Sequence, residues 1–246
     1  MYKQDIKVIA KGKWLTLQAA RFKDAKGREI EWEMTKGNII NEKTQAVEII
    51  SLLVQKEKKP QLILIKQYRA PSNMMLIEFP AGIVPPGVDP AAHAVQELYE
   101  ETGYIATIPK TDEKIPDSSF TESTKMDDEI PSSSTSSSKF PSFSDLSVLA
   151  SISEPVMVSP AFSCTRSTVV TFVVDGDLPE NKNPQAHNVE EEGEITEPLL
   201  VDFDEHLMER LNEMAKVENQ AIDGRVYMFA KGVSTALSLS KMLNKE

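Results

Sequence analysis

Three glutamates lie close together in the sequence and have the chemistry to bind a metal ion. Glu97, Glu100 and Glu101 are three and one residues apart, which on a helix places them within about one turn of each other on one side. At about 6 Å and an effective dielectric near 20, a partly buried pair of such charges repels by about 2–3 kcal/mol. Mg²⁺ would relieve that repulsion, and in turn it suits a diphosphate. On spacing alone, a solvated acidic helix face is the commoner interpretation.

A helix that would carry these glutamates is predicted within the sequence AGIVPPGVDPAAHAVQELYEETGY, which spans residues 81–104. Asp89 is a good N-cap, Pro90 suits the first helical position, and Gly103 suits the residue that ends a helix. His93 lies one turn before Glu97 on the same face; we expect a solvated histidine, with a hydrogen-bonding role as the alternative. The opposite, apolar face should pack on a sheet through Ala91, Ala94, Val95, Leu98 and Thr102.

The same stretch resembles the signature of the Nudix hydrolase superfamily. That signature is Gly, five residues, Glu, seven residues, Arg-Glu, an aliphatic residue, any residue, Glu-Glu, any residue, Gly and an aliphatic or aromatic residue. Val88 stands where the first Glu is expected, and Gln96 stands where the Arg is expected. Every spacing is kept, and the other positions are Gly82, Glu97, Leu98, Glu100, Glu101, Gly103 and Tyr104.

The resemblance implies that Glu97 and Glu101 bind the metal, with Glu100 close by and the carbonyl of Ala81 as a further ligand. The expected ion is Mg²⁺, with Mn²⁺ as the alternative. Val88 and Gln96 stand in place of a Glu and an Arg that, in the family, support these ligands. Because both charged residues are absent together, neither would be buried without its partner. We therefore expect activity or metal affinity to be weakened about 10–100-fold rather than abolished.

Features outside the signature resemble the ADP-sugar pyrophosphatase branch, the ADP-ribose diphosphatases. The resemblance implies that Trp14 and Trp32 stack on an adenine across a dimer; ordinary core tryptophans are the alternative. In "LIKQYRAP" and "IEFPAG", it implies that Arg69 contacts the diphosphate and that Glu78 joins the metal and substrate site. A further family arginine has no counterpart, since Gly37 occupies its approximate place.

The catalytic base implied by the resemblance lies in the acidic segment "EEEGEITEPLLVDF", where it maps best to Glu194. A carboxylate on a loop beside Mg²⁺ is suited to deprotonating water. Neighbouring glutamates leave the choice open at this stage, namely Glu190, Glu191, Glu192 and Glu197.

The predicted function is Mg²⁺-dependent hydrolysis of the diphosphate of ADP-ribose or a related ADP-sugar, giving AMP and a sugar phosphate. The alternatives are a catalytically weakened Nudix domain that binds nucleotides or regulates, and a hydrolase of another nucleoside diphosphate derivative. The expected partner is the nucleoside diphosphate sugar, with a second copy of the chain forming a homodimer.

The composition of the chain also bears on whether nucleic acid or a membrane could be a partner, and on the cellular compartment. The chain of 246 residues has a net charge of −11 and a single cysteine. An acidic chain disfavours nucleic acid and membrane surfaces as partners, and one cysteine excludes an internal disulfide. No apolar run approaches the roughly 20 residues that span a bilayer. We expect a cytoplasmic protein, with the nucleus as the alternative.

The predicted fold is α+β, a Nudix-type α/β/α sandwich with a mixed sheet and an N-terminal antiparallel β arm for dimerisation. The arm takes residues 1–45, and the hydrolase domain takes 46–108 and 146–246. Residues 109–145 are rich in Ser, Pro and acids and are predicted to be a disordered insertion. Strands are expected over 13–22, 28–34, 47–54, 61–67, 75–79, 147–152, 167–174 and 195–203, and helices over 204–218 and from 223 towards 243.

Overall fold

In the computed structural model, the described residues are 4–38, 41, 44–106, 146–187 and 195–243. The expected insertion at 109–145 and the expected base Glu194 lie outside them. The described strands are β1 (Asp5–Lys11), β2 (Leu15–Lys23), β3 (Glu29–Gly37), β4 (Ala46–Val54), β5 (Gln61–Arg69), β6 (Met74–Glu78), β7 (Ala81–Ile83), β8 (Ser151–Ile152), β9 (Val156–Met157), β10 (Arg166–Asp175), β11 (Thr196–Asp202) and β12 (Gln220–Ile222). The described α-helices are α1 (Pro90–Thr102), α2 (Leu207–Met214) and α3 (Gly224–Leu243).

The N-terminal arm is a separate antiparallel sheet in the order β1-β2-β3. Its β2–β3 turn is the one that the sequence indicates: Asp24 Oδ1 accepts from the N–H groups of Lys26 and Arg28, and Gly27 has a φ of 76° that suits glycine. Thr35 on β3 bridges to Ser163 in the loop before β10. The arm is therefore attached to the main domain by its third strand.

The larger sheet is mixed, and two of its central strands, β4 and β5, separate along part of their length. β4 and β5 pair over Ser51–Leu53 only. Beyond that point β6 continues beside β5, and β7 continues beside β4. The chain between β6 and β7 therefore crosses the opening, and the carbonyl of Pro80 accepts from the N–H of Ile49 at 2.9 Å.

Helices cover both faces of this sheet. Side chains alternate along its buried strands, so both faces carry apolar side chains that pack against helices. Ile49 and Ile63 lie in the core cluster that includes Leu98 of α1. Leu52 lies in a second cluster with residues of α2 and α3, such as Leu211. This arrangement confirms the predicted α+β sandwich with a mixed sheet and an N-terminal antiparallel sheet. No helix in the described ranges has the length and hydropathy needed to cross a membrane.

The structure corrects several predicted boundaries. Residues 147–152 are a short 3₁₀ helix, Ser147–Leu149, followed by the two-residue strand β8. Helix α2 is shorter than 204–218 at both ends, and Asp204, before its first residue, accepts hydrogen bonds from the guanidinium of Arg210. The prediction missed β1, β7, β9 and β12 as strands. Three of these have only two or three residues, which is too short for a periodic hydrophobic pattern.

Candidate active site

Helix α1 has the boundaries that its sequence predicts. The Asp89 carboxylate accepts from the N–H groups of Ala91 and Ala92 at 3.1 and 3.2 Å, and Gly103 ends the helix with a φ of 76°. The helix packs against β7, β4 and β11. Two of its glutamates, Glu97 and Glu101, consequently lie against the backbone of β7.

The side chain of Glu101 on α1 is buried against the first residue of β7. Only 7% of its surface is exposed, and its Oε2 accepts from the N–H of Ala81 at 3.0 Å. The carboxylate and the backbone N–H of Ala81 are thus in direct contact, whereas the resemblance implies the carbonyl of Ala81 as a metal ligand.

Glu97 lies one turn earlier and packs against the backbone of the next residue of β7. A Cβ added to Gly82 would lie 2.1 Å from Glu97 Oε1, so only glycine leaves room for this carboxylate. Glu97 Oε1 is also 2.9 Å from Nε2 of His93, which lies 3.0 Å from the carbonyl oxygen of Ile83. Since both partners are acceptors, Nε2 must carry a proton.

The prediction of a solvated His93 was wrong, because the residue is only 7% exposed. The position of β7 beside α1 buries the ring, and this position does not follow from the helix pattern. The hydrogen bond to Glu97 raises the pKa of His93 above its usual value. His93 therefore supports the carboxylate of Glu97. In this chain Gln96 precedes Glu97, where the family signature has an arginine.

Glu100 is oriented differently from its two neighbours. Its Oε1 accepts from Nε2 of Gln96 at 2.8 Å, so Gln96 holds this carboxylate instead. Val88 packs against the core cluster beneath α1. Among the residues that the structure describes, no three His, Cys, Asp or Glu side chains converge as a ready-formed metal site. The structure brings together Glu97, Glu101 and the β7 backbone, while Glu100 is turned towards Gln96.

The support from His93 leads to a testable prediction. His93→Leu keeps a similar volume but removes the donor, so we expect a 10–100-fold loss of metal affinity or of kcat/KM. Metal titration and steady-state kinetics would measure this loss. The matched control is His206→Leu, because His206 also pairs with a glutamate, Glu209, at 2.9 Å but is 55% exposed. Equal and small effects in both variants would contradict a supporting role for His93.

Two further expected site residues, Arg69 and Glu78, are also in contact. Arg69, at the end of β5, donates from Nε to Oε2 of Glu78 at 2.7 Å, and Glu78 ends the neighbouring strand β6. Glu78 is 3% exposed. Ile65 pairs with Glu78 and Arg69 pairs with Met74, so Arg69 and Glu78 lie on the same face of this antiparallel pair, and the two side chains meet along that face.

Parts of this chain are similar to a known domain family, and most of it is similar to known proteins. Residues 43–132 match the model of the NUDIX domain. The chain is 29% identical over 235 residues to an ADP-ribose pyrophosphatase of Saccharomyces cerevisiae, which covers 94% of this chain and 81% of that protein. It is 25% identical over 232 residues to an ADP-sugar pyrophosphatase of Mus musculus, covering 94% and 86%.

The segment similar to the NUDIX domain contains β4 to α1 and therefore the carboxylates of the candidate site. A solved structure described as an ADP compounds hydrolase superposes with a TM-score of 0.53 at 15% identity, covering 98% of this chain and 95% of that one. At that identity the structural likeness bears on the fold alone. We call α1 the Nudix helix because it lies within the segment similar to the NUDIX domain, and β7 with the loop after it leads into this helix.

A buried charge network adjoins the candidate site, and the sequence did not predict it. Arg225 in the first turn of α3 contacts Oε1 of Glu48 on β4 through Nη1, and it also bonds Asp223 through Nε at 2.7 Å. Burial raises the pKa of Glu48 despite the charge of Arg225. Burial works to lower the pKa of Arg225, but Asp223 and Glu48 leave it raised. One signal was present: Glu48 is the only charged residue in AVEIISLLV, the most apolar strand.

The two tryptophans lie on the arm with large exposed fractions, 56% for Trp14 and 51% for Trp32. They are therefore not core residues. Trp32 Nε1 donates to the carbonyl of Ala161 at 2.9 Å, and the ammonium of Lys13 lies 4.6 Å from the ring of Trp14.

The residues before and after the acidic segment 188–194 are both hydrogen-bonded to helix α1. The N–H of His187 donates to the carbonyl of Glu100 at 2.6 Å, and the hydroxyl of Thr196 donates to the carbonyl of Glu101 at 3.0 Å. The ring of His187 also stacks on Tyr99 at 4.5 Å. Of the alternative bases, Glu190, Glu191 and Glu192 lie outside the described residues with Glu194, and Glu197 is exposed on β11.

Proposed function

We propose that this Nudix hydrolase cleaves the diphosphate of ADP-ribose or a related ADP-sugar, giving AMP and a sugar phosphate, with Mg²⁺ as the cofactor and Mn²⁺ as the alternative. One observation carries the proposal: Glu97 and Glu101 are fixed against the backbone of β7 beside the paired Arg69 and Glu78. The relatives named as ADP-ribose and ADP-sugar pyrophosphatases support the substrate class.

The donor set suits a hard divalent cation. The carboxylates of Glu97 and Glu101 and the backbone of Ala81 supply only oxygen ligands, which Mg²⁺ prefers. Gly82 fits the same site, because a Cβ at this position would occupy the space of Glu97. When bound, the ion would neutralise charge on the diphosphate and lower the pKa of a water molecule.

Arg69 would hold the diphosphate. Its guanidinium is a planar fork that matches phosphate oxygens, and Glu78 engages it through Nε, which leaves the edge with two terminal nitrogens for the substrate. The Glu78 carboxylate is almost completely buried, so it fixes the direction in which Arg69 points.

We assign the general base to Glu194. The residues that flank its segment, His187 and Thr196, are bonded to the carbonyls of Glu100 and Glu101, which supports a base close to the metal ligands. A carboxylate beside the diphosphate would accept the proton of the attacking water.

The arm suggests how adenine is bound. Trp14 lies beside Asn38, and Trp32 lies six residues before Asn38 along β3. At about 3.4 Å per residue, the two backbones are about 20 Å apart, and strand side chains stand roughly perpendicular to their sheet. One base can therefore be held between them only if they come from two copies. We propose a homodimer with residues 1–45 as the dimerisation arm, testable by analytical ultracentrifugation.

Trp32 offers a direct test of adenine stacking. We expect Trp32→Ala to raise KM about tenfold with little change in kcat, because stacking on an aromatic ring contributes roughly 1–3 kcal/mol. Trp32→Phe is the matched variant: it keeps a ring but loses the N–H bond to Ala161. If Phe is as damaging as Ala, the tryptophan anchors the loop and does not stack on adenine.

The proposed activity is tested with purified protein and Mg²⁺ on ADP-ribose, other ADP-sugars, NADH and dinucleoside polyphosphates, with products separated by chromatography. We expect AMP from ADP-ribose or an ADP-sugar. Binding of these compounds without any product would favour a nucleotide-binding or regulatory role, which the departures at Val88 and Gln96 motivate. Products from another compound alone would change the substrate. The proposed location, cytoplasm or nucleus, is tested by cell fractionation.

A further inference from the structure

Arg225 occupies the centre of a group of carboxylates at the edge of the proposed site. Its Nε and Nη2 donate to the two oxygens of Asp223 at 2.7 and 3.0 Å, and its Nη1 bonds Glu48. Its Nη2 is also 3.9 Å from Oε1 of Glu78. Glu78 therefore has Arg225 on one oxygen and Arg69 on the other.

The fold, rather than local sequence, brings Arg225 to this position. Strand β12 runs parallel to β6, and the N–H of Asp223 donates to the carbonyl of Ile77 at 3.0 Å. The chain then enters α3, so Arg225 emerges beside the end of β6. Since Glu78 is the last residue of β6, the start of α3 and the proposed diphosphate-binding arginine share one carboxylate.

Glu48 shows how strongly this group of carboxylates depends on Arg225. It is 7% exposed, and its Oε2 has no hydrogen-bond partner among the described residues. It lies opposite Ala81 in the β4–β7 pairing, next to the backbone that Glu101 contacts. A carboxylate buried in this way without a cation would be strongly unfavourable.

We infer that Arg225 is a positioning residue, which fixes Glu78 from the side opposite Arg69 and so sets the direction of Arg69 towards the diphosphate. This inference rests on the proposed function. Arg225 acts through Glu78 and does not itself contact the substrate. Without it, Glu78 can move towards Arg69 or away from it, and misplacement of a binding group by about 1 Å can cost about 100-fold in rate.

The test uses the full chain and compares Arg225→Met with Arg210→Met. Arg210 is a matched control, because it bonds both oxygens of Asp204 and its side chain has a similar exposed fraction, 32% against 37%. Arg210 follows β11, whose last residue, Asp202, pairs with Gln61 at the start of β5. Arg69 lies at the other end of β5. We expect kcat/KM to fall 10–100-fold in Arg225→Met and less than threefold in Arg210→Met.

A double variant separates positioning from simple stabilisation. Glu48→Met with Arg225→Met removes the buried carboxylate together with its cation, so we expect the melting temperature to recover part of the loss, while Asp223 still lacks Arg225. Glu78 still lacks its second cation, so kcat/KM should stay at least tenfold low. Joint recovery of stability and kcat/KM would overturn the inference, as would full activity of Arg225→Met.

Failure of the proposed function would be visible separately. A wild-type protein that hydrolyses no compound of the panel overturns that function without deciding the role of Arg225. The inference is then tested by calorimetric binding of ADP-ribose. Weaker binding by the double variant than by Arg210→Met supports positioning of Arg69, and equal binding overturns it.

Discussion

Glu101→Gln is expected to lower kcat about 1000-fold, which corresponds to about 4 kcal/mol of transition-state stabilisation. The amide keeps the shape of the side chain, and its oxygen still accepts from the N–H of Ala81, so the fold should be retained. What is lost is a negative oxygen ligand for the proposed cation. Steady-state kinetics over a range of Mg²⁺ concentrations should show both a lower kcat and a higher Mg²⁺ requirement.

The control for this variant is Glu213→Gln. Glu213 is an exposed residue of α2 whose carboxylate pairs only with a nearby lysine, Lys216, among the described residues. We expect unchanged kinetics for this variant. Undiminished turnover by Glu101→Gln would overturn its assignment as a metal ligand.

Gly82→Ala is expected to lower kcat/KM about 100-fold while leaving the protein folded. The new Cβ would lie 2.1 Å from Oε1 and 2.2 Å from Cδ of Glu97. These atoms are at the end of a flexible side chain, so the carboxylate can move away at small cost in stability. Once displaced, Glu97 loses both its contact with β7 and its hydrogen bond to His93. Kinetics together with the melting temperature would show activity lost without unfolding.

Gly232→Ala is the matched control for that prediction. A Cβ at Gly232 has nothing within 4 Å, and the residue lies inside helix α3. Alanine in a helix interior is favoured over glycine by about 0.5–1 kcal/mol, so this variant should be fully active and slightly more stable. Full activity of Gly82→Ala as well would show that the position of Glu97 does not matter for turnover.

The Nudix helix was predictable because its determinants are local. Asp89, Pro90 and Gly103 cap it through contacts within one or two turns, and its buried face follows from the 3.6-residue period. The placement of Arg69 and Glu78 on neighbouring strands was also within reach, since two apolar runs joined by a short turn form a hairpin, but their contact depends on the register of that hairpin. The exposed tryptophans show the limit of such patterns, because burial on an arm depends on what the arm contacts.

The sequence alone determined which residue types are present at the candidate site, their spacing on one helix, and the α+β class. Tertiary structure decided how those residues are supported. His93 is buried because β7 returns beside α1, and Arg225 bonds Glu48 across 177 residues of sequence. These contacts arise from where β4 and β5 separate and where β12 joins β6, and strand pairing of this kind leaves no periodic trace in the sequence. For that reason the carboxylates could be named from the sequence, while the groups that hold them became visible only in the fold.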